Sequence, residues 1–306
     1  MTRKFLVSTV LLAMIAATPA VAATPINESR PLAASGSVSI ENIKGRIIVR
    51  TWAQPQVKVT GSLGKGVEKL IVEGDGQNLS IRVKYPNHND RGWMGLGEGA
   101  GKSEPTMLEV TIPQRASLDI DSVSADVNVQ QMAGRKLSVE SVSGNVEVTA
   151  SSPGEASFEN VSGDTTLRIT TNKVSVESVS GDINLRGGLG GDIRLESVSG
   201  NASLVAPQLS RLQMSTVSGD ANLQVGVSGH GSIKAESVSG NVVLALPNAT
   251  NARLDIETFS GDIESPSGKV VREEFGPGKS LHTRLGTGEA DIDLESFSGD
   301  VTVKLD

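Results

Sequence analysis

A five-residue pattern, Ser-Val-Ser-Gly-Asp or a close variant, recurs nine times, with its fourth position held by Ala125, Gly144, Gly163, Gly181, Gly200, Gly219, Gly240, Gly261 and Gly299. The intervals are 19, 19, 18, 19, 19, 21, 21 and 38 residues. A period this regular specifies an array in which each unit packs only on its neighbours. The interval of 38 reads as two periods with a degenerate copy between them. Glu41-Asn42-Ile43-Lys44-Gly45, set between the strand-like runs 38–40 and 47–49, reads as an earlier copy.

Counted from the Gly position, offsets −7, −5, −2, +2 and +4 hold 43 apolar side chains in 45 places, Thr165 and Ser265 being the exceptions. We assign these offsets to the interior. Period-2 alternation on either side of the motif marks two short strands, one before the turn and one after it. A unit of two short strands cannot bury its own faces, so units must stack edge to edge. The repeat Gly (Gly144, Gly163, Gly181, Gly200, Gly219, Gly240, Gly261, Gly299) is expected to supply a corner conformation that a side chain would resist. The Asp or Asn after it is expected to bond its own turn. The remaining residues of each coil return the chain, with room for a third short strand.

The expected fold is all-β: a β-solenoid with coils of about 19–21 residues, right-handed because the hexapeptide signature of left-handed helices is absent. Nine coils at about 4.8 Å make a rod about 40–45 Å long. The inward frame places Val179 in a dry ladder between Val161 and Val198, where an aspartate costs several kcal/mol, and leaves Ser180 in solvent.

Outside the repeat the chain divides into three parts. Residues 1–23 read as a signal peptide, with Arg3 and Lys4 before an apolar run over 5–17 and an Ala-x-Ala ending. Its removal leaves 26 basic side chains against 35 acidic, a charge of −9, and no other segment has the apolar length of a membrane span. Residues 24–116 read as an N-terminal β region with a Gly-rich loop over 85–105. Residues 117–306 read as the repeat region, with an irregular insertion over 265–288 and a final unit over 290–303 that caps the open edge.

Trp52 with the strand Val57-Lys58-Val59, the segment Val110-Thr111-Ile112-Pro113, the Ser-Val-Ser-Gly-Asp units and the closing Leu294-Glu295-Ser296-Phe297-Ser298-Gly299-Asp300 together resemble the bacterial putative-adhesin family. The resemblance covers residues 36–306. It implies a secreted or envelope-linked β-strand repeat protein of largely unassigned role, and it carries no catalytic residues over.

Composition narrows the chemistry. The chain has no Cys, which excludes disulfides, thiolate metal sites and thiol nucleophiles. A net charge of −7 argues against nucleic acid. The stretch from Gly95 to Ser103 ends like a phosphate-binding loop, but Leu96 stands where that loop requires Gly and a Pro and a strand follow where it requires a helix. His88, His230 and His282 fall in separate irregular segments. The alternative of a carbohydrate-active β-helix enzyme, a polysaccharide lyase or hydrolase, would have to place its carboxylates and bases in 85–105 or 265–288, where the repeat is interrupted.

Two ladders remain. Offset −4 gives Asp121, Glu140, Glu159, Glu177, Glu196, Ser215, Glu236, Glu257 and Glu295, with few Lys or Arg flanking them. Stacking is expected to bring these carboxylates close enough to repel and hold protons more tightly. Offset +1 holds Asp or Asn in every copy, among which Asp164, Asp182 and Asp220 are the candidates for a divalent cation. Turn-forming Asx residues on a solvated face account for this row better than a cation does. No other cofactor is implied. The expected function is non-enzymatic, the repetitive surface being offered to a cell-surface polysaccharide or an envelope protein.

Overall fold

The structure, a computed structural model, describes residues 24–86 and 103–306. The signal segment 1–23 and most of the 85–105 excursion, including His88, Arg91, Trp93 and the stretch 95–102, lie outside the described residues. Within them every regular element is a strand, 23 in all, joined into one hydrogen-bonded sheet.

The repeat generates two series of parallel strands. Residues before each turn form the first: Lys136–Ser141, Glu155–Asn160, Thr171–Ser178 and Leu189–Ser197 pair in succession. Residues after each turn form the second, through Val146–Ser151, Thr165–Ile169 and Ile183–Arg186. Register follows the repeat, so Val139 lies between Ile120 and Phe158, and Val148 between Val129 and Leu167. Equal offsets therefore fall one above another, and an apolar offset becomes an apolar ladder. The return segments pair at isolated points, such as Thr171 with Leu189 and Leu209 with Val227.

Offsets −7, −5, +2 and +4 are inside as expected, every residue being buried except Ser265. Offset −2 is not. Val161, Val179, Val198, Val217, Val238, Phe259 and Phe297 are 40–57% exposed, which corrects the assignment of Val179 to a dry ladder. The buried neighbour is offset −3, a row of Ser122, Ser141, Asn160, Ser178, Ser197, Thr216, Ser237, Thr258 and Ser296. The period-2 alternation runs unbroken through −7, −5 and −3 to the corner, so the polar residue faces in and the apolar one out.

Ser178 shows why a hydroxyl is stable there. Its Oγ donates to the Gly181 carbonyl at 2.7 Å and accepts from the Gly181 N–H at 3.1 Å, closing the turn from within. Ser122, Ser141 and Ser237 do the same with their own turn residues. The repeat glycines serve a different purpose from the one expected. None of them has a φ in the left-handed region. Instead, a Cβ on Gly200 would overlap the carbonyl oxygen of Gly181 in the coil beneath, and one on Gly181 would overlap that of Gly163. Close stacking, not turn conformation, selects Gly.

Both ends are closed by antiparallel strands. The early copy in Ser37–Trp52 sets Gly45 opposite Ala125. Gly45 itself has φ +125 and no room for a Cβ against the Thr106 backbone. Asn78–Lys84 and Thr106–Pro113 cover its other edge, with Lys69–Gly74, Gln56–Leu63 and Thr24–Pro31 running antiparallel beyond. At the other end the final unit does not cap the edge. Ala290–Ser296 and Val301–Leu305 insert between the unit of Gly240 and the unit of Gly261. The cap is Lys279–Leu285, antiparallel on Ala252–Thr258, with Val271–Arg272 outside it. The interval of 38 holds this antiparallel cap where a degenerate coil was expected. Reversing the strand direction at the edge denies the next parallel unit a matching template.

Candidate functional site

First-series strands end with an acidic residue out (Ser215 in one), Ser, Thr or Asn in, and Val or Phe out, and stacking turns this into three parallel rows. Glu159 lies between Glu140 and Glu177, and Glu177 is followed by Glu196. Rows −4 and −2 within one strand are about 6.6 Å apart, and successive coils about 4.8 Å. Together they line a groove of about 1040 Å³ that runs from Glu140 to Phe259, with carboxylates along one side, Val and Phe along the other and the Ser/Thr row between.

Order along the stack follows the spatial sequence of the units, so Val161, Val179, Val198, Val217 and Val238 are followed by Phe297 and then Phe259. The two rings stack with centroids 4.9 Å apart and planes 9° from parallel. The insertion closes this end. Lys279 Nζ donates to the Gly261 carbonyl at 2.8 Å and pairs with Asp262, holding the Asp262 carboxyl below its ordinary range.

The acidic row is partly compensated, contrary to expectation. Arg194 pairs with Glu196, and Lys234 pairs with Glu236 at 2.6 Å, each from two residues upstream in the same strand. Glu140, Glu159, Glu177, Glu257 and Glu295 have no ion pair among the described residues. At the far end of the row, burial pushes the Asp121 carboxyl up to about 6, with Asp119, Glu140 and Glu41 adding their repulsion.

The offset +1 row is a hydrogen-bond ladder between coils. Asp164 Oδ1 accepts from the Asp182 N–H at 3.1 Å, Asp182 Oδ1 from the Asn201 N–H at 2.9 Å, and Asp220 Oδ1 from the Asn241 N–H at 2.9 Å. The bond runs to the next coil, not within the turn as expected. The three cation candidates are thus spread along the stack, each holding backbone. Among the described residues no group of three or more His, Cys, Asp or Glu is placed to hold a metal ion.

His282 is not isolated as expected: its Nδ1 lies 2.7 Å from Asp255 Oδ1 on an exposed strand face. His230 stands elsewhere, at a positive φ of 60. The repeat interruption 265–288 contributes Glu273, Gly278, Lys279 and Ser280 to the groove. Sequence reasoning missed the groove because it counted its apolar side as core. The signal was present in Phe259 and Phe297, bulky residues at a position held elsewhere by Val.

Among solved structures, a putative lipid binding protein from Parabacteroides distasonis is 12% identical, with 92% of this chain and 96% of that one covered at a TM-score of 0.52. A putative adhesin from the same organism is 14% identical over 93% and 98%, at 0.40. A putative adhesin from Bacteroides fragilis is 11% identical over 92% and 97%, at 0.37. The first similarity shows a shared fold. No curated protein matches the sequence. The Toastrack DUF4097 family description matches residues 36–304. With nearly the whole repeat inside that match, the chain belongs to the Toastrack DUF4097 family, in agreement with the resemblance read from Trp52 to Asp300.

Proposed function

We propose that the protein is a non-enzymatic, adhesin-like binding protein of the cell envelope, whose groove holds a cell-surface polysaccharide or an envelope protein lying along the stack. In this reading residues 1–23 are a signal peptide and the rest is periplasmic or secreted. The stacked units wind as a β-solenoid, right-handed as parallel strand–crossover–strand connections are. The observation that carries the proposal is the exposed row from Val161 to Phe259, bordered by an acidic row of which Glu159, Glu177, Glu257 and Glu295 make no ion pair among the described residues. A contiguous apolar row left in water marks an interaction surface.

The test is retention of the protein on peptidoglycan, lipopolysaccharide and common polysaccharides, and on envelope protein, beside an assay for released sugar. Retention by wild type that falls in a Val198→Ser/Val217→Ser variant supports the reading. Release of reducing ends would contradict it and assign the groove to a carbohydrate-active enzyme.

A further inference from the structure

We propose that the groove takes a basic amphipathic helix of a partner polypeptide, its apolar stripe on the Val/Phe row and its Lys and Arg on the Glu row. This rests on the reading of the groove as a docking surface and goes further in naming the occupant. The argument is charge complementarity and repeat. The apolar row, Val161 to Phe259, has a carboxylate beside every rung except that of Val217, where Ser215 stands; Glu196 and Glu236 are paired with Arg194 and Lys234, while Glu159, Glu177, Glu257 and Glu295 make no ion pair among the described residues. An occupant with only an apolar face would leave those charges half-desolvated and unpaired, which is costly. A row of ammonium or guanidinium groups about 6.6 Å from an apolar row satisfies both sides.

Spacing selects the conformation. Groove rungs repeat at about 4.8 Å, close to the 5.4 Å pitch of a helix, whereas same-side residues of an extended strand repeat at about 6.8 Å. The seven exposed rungs span about 29 Å, the length of a helix of about 20 residues. The mode is helix in groove. A second copy of this chain is a poor occupant, because its groove offers only another Val/Phe row and another acidic row, so joining two grooves covers the carboxylates without bringing them a row of cations. An anionic lipid surface is opposed by the same carboxylates.

The experiment titrates the protein into a fluorescent Leu/Lys amphipathic peptide of about 20 residues, with a Leu/Glu peptide of the same pattern as reference. The Leu/Lys peptide is expected to bind at least about tenfold more tightly and to gain helical circular dichroism when bound. Val179→Ser/Val198→Ser and Glu159→Gln/Glu177→Gln are each expected to weaken it about tenfold, while Val205→Ser, equally exposed but on the other strand series, leaves it unchanged. Melting curves confirm that each variant folds, and all substituted side chains are at the surface. Equal binding of the two peptides, or loss in the glutamate variant alone, would overturn the proposal, as would vesicle uptake or dimerisation that depends on the Val row. If envelope material is retained through the groove while the Leu/Lys peptide is not bound, the helix proposal fails and the docking reading stands.

Discussion

Phe259 and Phe297 stack face to face at 4.9 Å although the repeat that carries Phe297 is the last in the chain and that of Phe259 the one before it. They meet because the final unit inserts beneath its predecessor, and the pair ends the apolar row in two rings that are 49% and 57% exposed. An offset or stacked aromatic pair contributes about 0.5–1.5 kcal/mol beyond area burial. Phe297→Ser is therefore expected to cost about 1 kcal/mol in stability while removing most groove binding, checked by urea unfolding beside partner titration. A loss of several kcal/mol would mean that Phe297 belongs to the core.

Ser178 and Val179 reverse the usual hydrophobic rule and can be tested against each other. Ser178→Ala leaves the buried Gly181 N–H and C=O without the hydroxyl they share, and is expected to destabilise by about 1–3 kcal/mol. Val179→Ser changes an exposed side chain and should stay within about 0.5 kcal/mol. Unfolding midpoints of the two variants give the answer, and the opposite order would restore the interior assignment of Val179.

Gly200→Ala sets a methyl group against the Gly181 carbonyl of the coil beneath. Forcing two coils apart is expected to cost about 1–3 kcal/mol. Gly76→Ala, with nothing near the added carbon, serves as the control and should be close to neutral in the same thermal melts.

Asp121 makes the stack's stability depend on pH in the sense opposite to a salt-bridged carboxylate. Its folded-state pKa of about 6 lies above the ordinary 3.8, so the folded protein holds more protons between those values. Stability should rise as pH falls from 7 through 6 towards 4. The gain is about 1 kcal/mol once solvent screening of a half-buried group is allowed for. Asp121→Asn should be more stable than wild type at pH 7 and lack this rise, as melting curves across the range will show. Glu41, Asp119 and Glu140 remain in the variant, so a slope that persists would move the effect to one of them.

Much of this architecture could be read in the chain. The period fixed which residues stack, because equal offsets pair in register, and the offsets −7, −5, +2 and +4 all face inward. Two features resisted. Val at −2 was assigned by its chemistry and not by its parity, and the buried hydroxyl at −3 is stable only through hydrogen bonds that a linear pattern does not display. The position of the last unit was hidden for a different reason. Nearly identical units offer one another interchangeable edges, so sequence order does not dictate stacking order. The shared Phe at −2 in the Gly261 and Gly299 units was the one sign that these two are neighbours at a distinct end. The groove was illegible for as long as its apolar side was counted as core.

The most direct test of the groove as the binding surface uses the absence of Cys from the chain. Val198→Cys and Val205→Cys place one environment-sensitive fluorophore at positions that are each 43% exposed, the first in the groove and the second outside it. Titration with the envelope material retained by the wild type is predicted to shift emission from the label at Val198→Cys and leave that at Val205→Cys unchanged. An equal shift at both positions, or a shift at Val205→Cys alone, would contradict the account.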